Sequence, residues 1–188
     1  MPAPDFSALL KWPDVPAVYG WLRLDRRGQW RLRDAPVRHG GLEAFFNRQY
    51  AADDAGNWFV QNGPQRVFVA LDYTPWVFRA DASANPVAHT GEARGRVREV
   101  LVDEDGSLLL ATGLGIGVVD DRDVPALLGA CRHEGGSTGL DAVETWLSAG
   151  GELLWRDIPV QRVLRAAVAA RYGFNPAPAP DGRAPARS

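Results

Sequence analysis

One ten-residue stretch occurs twice in the chain. Gly28-Gln29-Trp30-Arg31-Leu32-Arg33-Asp34-Ala35-Pro36-Val37 returns as Gly151-Glu152-Leu153-Leu154-Trp155-Arg156-Asp157-Ile158-Pro159-Val160, five of ten positions being identical at a constant offset of 123. Each copy runs into a pattern of helical spacing. The pair predicts two related strand–turn–helix units, and with them an α+β fold of antiparallel hairpins and short helices in two roll-like halves. A groove between the halves is the expected place for a ligand. The repeat says nothing about a reaction.

A chain of 188 residues fits one large or two small domains. At that size roughly 70% of the unfolded surface can be buried, so no disulfide or metal is needed to hold a core. Seven tryptophans favour sheets with broad apolar faces over a helical bundle. A net charge of −2 offers no general attraction for nucleic acid or an anionic membrane. Of 21 basic residues only Lys11 is not arginine, which is better explained by codon bias than by phosphate binding. The single cysteine, Cys131, excludes an internal disulfide and suits a reducing compartment. No signal-peptide pattern and no apolar stretch of bilayer length are found, so a soluble cytoplasmic protein is expected.

Local patterns predict the elements. A proline-rich lead-in covers 1–17, anchored by Phe6, Leu9, Leu10 and Trp12. In the first half, 18–78, a strand from Val18 to Leu24 turns at Asp25–Gly28 and returns over Gln29–Arg33. Leu42, Phe45, Phe46 and Tyr50 follow helical spacing. Arg66–Leu71 is apolar on both faces, as in a central strand. The second half, 79–173, carries short strands near 87–90, 97–102, 108–110 and 118–119, a short helix at 124–128, and a flexible stretch over 129–139. A helix with Asp141 as its N-cap then leads to a stripe of Val160, Val163, Leu164, Ala167, Val168 and Tyr172 closed by Gly173. The Pro/Ala/Gly-rich tail, 174–188, reads as disordered.

Tyr19-Gly-Trp-Leu-x-Leu-Asp-Arg-Arg-Gly-x-Trp-Arg, then Phe59-Val-Gln-Asn-Gly-Pro-Gln-Arg-Val-Phe-Val and Asp120-Asp-Arg-Asp, resembles the proteobacterial domain of unknown function 2944 family over roughly residues 10–172. A looser likeness, carried by Gly28, Trp30, Pro36, Val37, Leu42, Phe45 and Asp54-Ala55-Gly56-Asn57-Trp58, is to the domain of unknown function 1285 family. Its members are similar to tandem α+β roll domains. Neither resemblance implies an activity, a cofactor or a catalytic residue.

Several residue groups invite a chemical reading, each beside a plainer one. Arg33 and Arg156 could grip anions, or Asp34 and Asp157 could simply cap the helices that Pro36 and Pro159 begin. Asp120, Asp121 and Asp123 could hold a hard cation, or could complement a helix N-terminus. Cys131 with His133, His39 and His89 lacks the fixed spacing of a zinc site or of an activated thiol. Gly113-x-Gly115-x-Gly117 misses the dinucleotide fingerprint by one position and better suits close backbone packing. Arg94-x-Arg96-x-Arg98 could track phosphates, but the acidic total argues against nucleic acid. The rigid turn Asn62-Gly63-Pro64 leads into the buried strand, so Gln61, Asn62, Gln65 and Arg66 could offer donors to an anion, with Tyr73 and Trp76 as an aromatic wall.

The expected function is a non-catalytic, regulatory module binding a small molecule or a protein, without a cofactor. The alternative is a small metal-assisted hydrolase using Asp120, Asp121 and Asp123, with His89 as base.

Overall fold

The computed structural model describes residues 13–91 and 96–180. The expected anchors Phe6, Leu9, Leu10 and Trp12, as well as Arg94, lie outside the described residues. The chain forms two units. One holds the described residues up to Asp25, residues 29–73 and those from Gly173 onward; the other holds 26–28 and 74–172. The boundary falls before Thr74 rather than after Phe78, because the strand Trp76–Ala80 pairs with strands of the second unit.

In the first unit, β1 (Ala17–Leu24), β2 (Trp30–Leu32), β3 (Ala35–Pro36), β4 (Tyr50–Ala52), β5 (Trp58–Asn62) and β6 (Gln65–Leu71) form a curled sheet in the order β3-β2-β1-β6-β5-β4. β1 lies parallel to β6 with a shift of register between Val18 and Leu22, where Gly20 takes a positive φ. The helix α1 (Gly40–Gln49) buries Leu42, Phe45 and Phe46, as its spacing predicts. Trp30, 1% exposed, packs edge-on to Phe46 and Tyr50 and donates its indole N–H to Asn47 Oδ1 at 2.7 Å. β6 is central and buries Val67, Phe68, Val69 and Leu71, on both faces of the sheet, as its composition implies.

The second unit has β7 (Trp76–Ala80), β8 (Pro86–Ala88), β9 (Glu99–Asp103), β10 (Leu108–Thr112), β11 (Gly115–Val119), β12 (Cys131–His133), β13 (Leu153–Trp155) and β14 (Ile158–Val163). They form one sheet in the order β12-β13-β14-β9-β10-β11-β7-β8. The helices are α2 (Val124–Leu128), α3 (Gly139–Ala149) and α4 (Arg165–Tyr172). The core gathers Phe78, Val100, Leu110, Leu127, Trp146 and Trp155, among others.

Four hairpin loops share one chemistry. Asp25, Asp53, Asp81 and Asp103 each donate their N–H to the carbonyl four residues on, at 2.9–3.1 Å. Each carboxylate accepts that residue's N–H in return, at 2.7–2.9 Å. The third loop position takes a positive φ: Gly28, Gly56, Ala84 and Gly106. This is the three-residue hairpin loop that ends in a left-handed residue, and it explains the run of Asp-x-x-Gly spellings. His133 opens a fifth such loop with its ring in the carboxylate's place: Nδ1 accepts from Gly135 N–H at 3.0 Å.

The repeated Arg-Asp pairs adopt matching backbones. Arg33 and Asp34 have φ of 47° and 67°, Arg156 and Asp157 of 46° and 69°. Each pair is the two-residue loop of a hairpin, closed by Leu32 opposite Ala35 and by Trp155 opposite Ile158. Positive φ at both central positions defines a type I′ turn, whose twist matches that of paired strands. The expected helix-capping role is therefore corrected. Asp34 and Asp157 face arginines, Arg23 and Arg132, and the prolines sit in returning strands. Pro159 precedes the residues of β14 that pair with β9, so its missing N–H leaves that ladder intact.

Three further expectations are corrected. The apolar stripe from Val160 begins as a strand, because Val160–Val163 pair with β9; the helix starts only at Arg165, leaving Leu164 65% exposed. The 129–139 stretch contains β12, and Thr138, not Asp141, stands at the N-cap of α3. Residues 174–180 are ordered: Phe174 is buried, Asn175 N–H bonds Gly56 O at 2.9 Å, and Leu71 N–H bonds Pro176 O at 2.8 Å. Residues 181–188 lie outside the described residues.

Candidate functional site

The polar turn expected to bind a ligand is occupied with its own closure. Gly63-Pro64 forms a two-residue loop between Asn62 and Gln65, with Gly63 at positive φ. Gln61 Nε2 donates to Gly63 O at 2.7 Å and Gln65 O at 3.1 Å. Gln65 Nε2 donates to Pro13 O at 3.0 Å and Val15 O at 2.8 Å, and Asn62 Nδ2 reaches Gln65 Oε1 at 3.5 Å. Arg66 lies over the Phe59 ring at 4.6 Å. Tyr73 is buried in the first unit, whereas Trp76 belongs to the second and donates its N–H to Leu114 O at 2.9 Å. The glutamine amides thus serve the turn and the incoming segment.

The acidic cluster is matched by arginines. Asp120, with no exposed side-chain surface, is held by Arg122 at 2.5 Å; Asp121 by Arg27 at 2.9 Å; Asp123 by Arg79 and by Ala80 N–H. Burial of Asp120 raises its carboxyl, but hydrogen bonds from Arg122 outweigh it and bring the pKa down to about 2. Asp123 occupies the N-cap position of α2 without a side-chain capping bond. Among the described residues no group of three or more His, Cys, Asp or Glu side chains is placed to hold a metal ion.

The histidines and cysteine are likewise structural. His39 accepts Leu42 N–H at the start of α1. His133 accepts through Nδ1, which leaves Nε2 to donate to Gly150 O at 2.9 Å. His89 Nδ1 accepts from Val77 N–H, and burial lowers its pKa to about 4. Cys131 is 2% exposed, and burial pushes its thiol up to about 11, away from the nucleophilic thiolate. Gly117 serves packing: a Cβ there would collide with the Phe78 ring.

A cleft within the second unit escapes the sequence reading. It is an open cleft of about 1,020 Å³ whose walls come from four separated segments: Asn85–Pro86, Arg96–Arg98, Gly113 and Trp155–Ile158. Val97 turns into the core, so the flanking Arg96 and Arg98 are exposed on the other side of the chain. Arg98 N–H bonds Ala111 O at 2.8 Å, extending the β9–β10 ladder. Arg156, from the second type I′ turn, donates to Asn85 Oδ1 at 2.8 Å and Ala84 O at 2.7 Å, and lies over the Trp155 ring at 4.7 Å. These partners are neutral, so none of them compensates its charge. Asp157, the acidic residue of the lining, pairs with Arg132 at 2.8 Å. Among the described residues no carboxylate forms an ion pair with Arg96, Arg98 or Arg156. The advance signals were the Arg-x-Arg-x-Arg alternation and the expectation that Arg156 could grip an anion; nothing joined them into one cleft.

The family model DUF2944, described as a protein of unknown function (DUF2946), matches residues 5–179. This chain belongs to that family. No curated protein matches this DUF2944 member. Among solved structures it is similar to a DUF1285 family protein from Silicibacter pomeroyi DSS-3, at 13% identity and a TM-score of 0.50, covering 85% of this chain and 86% of the other. It is also similar to a DUF1285 family protein from Shewanella baltica OS155, at 15% identity and a TM-score of 0.41, covering 54% and 85%. The first likeness shows a shared fold. Both family expectations hold, and neither supplies an activity. Among the described residues no helix is long and apolar enough to cross a membrane.

Proposed function

We propose that this protein is a non-catalytic binding module that recognises a small acidic ligand in the cleft of its second unit. One observation carries the reading: three guanidiniums, those of Arg96, Arg98 and Arg156, line one cavity without a carboxylate partner among the described residues. Arginines gathered without a carboxylate partner favour anion capture, because a planar fork meets a carboxylate or phosphate with two parallel bonds. The cavity is of the size that small-molecule sites occupy. The lone, buried Cys131 fits a reducing compartment, and we place the protein's work in the cytoplasm. The two Arg-Asp corners share spelling and turn type, which supports their origin in a duplicated unit.

A thermal-shift panel of acidic, neutral and basic metabolites tests the proposal. Acidic compounds are expected to raise the melting temperature, with the gain shrinking in high salt and vanishing in Arg98→Ala. If neutral compounds stabilise equally, or if acidic ones stabilise Arg96→Ala and Arg98→Ala as well as the parent, the cleft is not an anion site.

A further inference from the structure

Resting on that reading of the cleft, we propose that its ligand is an organic molecule carrying a diphosphate or longer phosphate chain. The argument begins with spacing. Arg96 and Arg98 lie two residues apart on an extended segment, so their Cα atoms are roughly 6.6–7 Å apart with both side chains on one face. Two forks at that separation can each clamp a different phosphate of a chain, where a single carboxylate would engage only one.

Charge leads to the same ligand. Arg96, Arg98 and Arg156 bring three positive charges to one cavity, and Asp157 is already neutralised by Arg132. A ligand bearing one negative charge would leave the cavity strongly positive; a diphosphate balances it. Arg156 is set in advance. Its backbone is held at a φ of 46°, its guanidinium is tied to Asn85 and Ala84, and its face rests on Trp155, so little freedom is lost when an anion arrives. The end of Arg98 lies beside Gly113, with Nη2 3.9 Å from where a side chain would start. That bare backbone lets a bulky phosphate chain come close. Pro86 and Ile158 in the lining offer apolar surface for the remaining organic part, and a cleft of about 1,020 Å³ has room for a nucleotide-sized body.

Calorimetric titration of the full chain with pyrophosphate, ADP, inorganic phosphate and citrate decides the matter. The expected result is binding of ADP and pyrophosphate at least ten-fold tighter than of inorganic phosphate or citrate, weakening as salt rises. Arg96→Ala and Arg98→Ala should each weaken ADP by ten-fold or more, Arg98→Lys by less, and Arg48→Ala on α1 not at all. Circular dichroism of each variant confirms that it is folded. Citrate binding that depends on Arg98, with no phosphate-chain binding, overturns this inference while the acidic-ligand reading stands. Phosphate-chain binding unchanged in Arg96→Ala and Arg98→Ala overturns it too. No binding of any of the four anions removes both.

Discussion

The carboxylate of Asp103 accepts the backbone N–H of Ser107 at 2.7 Å, joining the two buried residues that close a loop whose tip, Glu104–Gly106, is exposed. The same oxygen takes Asp105 N–H at 3.0 Å. Alanine at 103 would leave two amides without their partner, one of them buried, at a cost of roughly 2–3 kcal/mol. Urea unfolding of Asp103→Ala should show that loss; the equivalent change at the more exposed Asp25 should cost less.

Ala84 occupies the left-handed position that glycine fills in three sister loops. Relief of its Cβ crowding, less the added entropy of the unfolded chain, makes Ala84→Gly stabilising by up to about 1 kcal/mol. A rise in denaturation midpoint with an unchanged slope is the expected readout.

Gly117 has the opposite sensitivity. A Cβ at this position would run into the ring of Phe78, which has no exposed surface, and would approach Trp76 Cβ to 2.9 Å. Gly117→Ala should destabilise by roughly 2–3 kcal/mol through overpacking. Thermal or urea denaturation that left the midpoint in place would contradict this packing.

Acid should weaken the protein in two steps. His89 has a folded pKa of about 4 through burial, below its usual value, so the unfolded chain takes up the proton first. Its contribution is complete above about pH 6.5 and is lost as pH falls toward 4, amounting to roughly 3 kcal/mol. Asp120, held near 2 by Arg122 despite burial, loses its contribution later, between about pH 4 and 2. His89→Asn should flatten the first step and leave the second, as followed by stability measured across pH.

Cys131 should be silent in the native protein. With its thiol protonated up to about pH 11 and its side chain enclosed, a thiol reagent at pH 8 should label it only as fast as the unit opens.

Local chemistry was the legible part of this fold. The Asp-x-x-Gly loops, the Leu42–Phe45–Phe46 face of α1 and the apolar run of β6 each declare themselves within a few residues. What escaped depends on distant partners. Val160 and Val163 fit a helical stripe as well as a strand, and only pairing with β9, some sixty residues earlier, decides for the strand. Arg-Asp is a poor spelling of a type I′ turn, which ordinarily favours Asn-Gly, so its backbone was hidden. The glutamines around Gly63-Pro64 looked like free donors because their acceptors are backbone carbonyls, which a sequence does not display. The arginine cleft draws on residues from 85 to 158, and nothing in the spacing of Arg96 and Arg98 indicates that Arg156 faces the same cavity.

The seam made by Asn175 N–H to Gly56 O and Leu71 N–H to Pro176 O carries a consequence for biosynthesis. Emerging from a ribosome, residues 13–73 have their strands but not the segment that seals them, because Gly173–Pro176 are translated only after the entire second unit. The later-encoded unit is thus free to fold first, while Gly56, Asn57 and Leu71 await their partners in the returning chain. Nascent chains stalled before residue 173 should stay protease-sensitive in their early segment, and release should abolish that sensitivity.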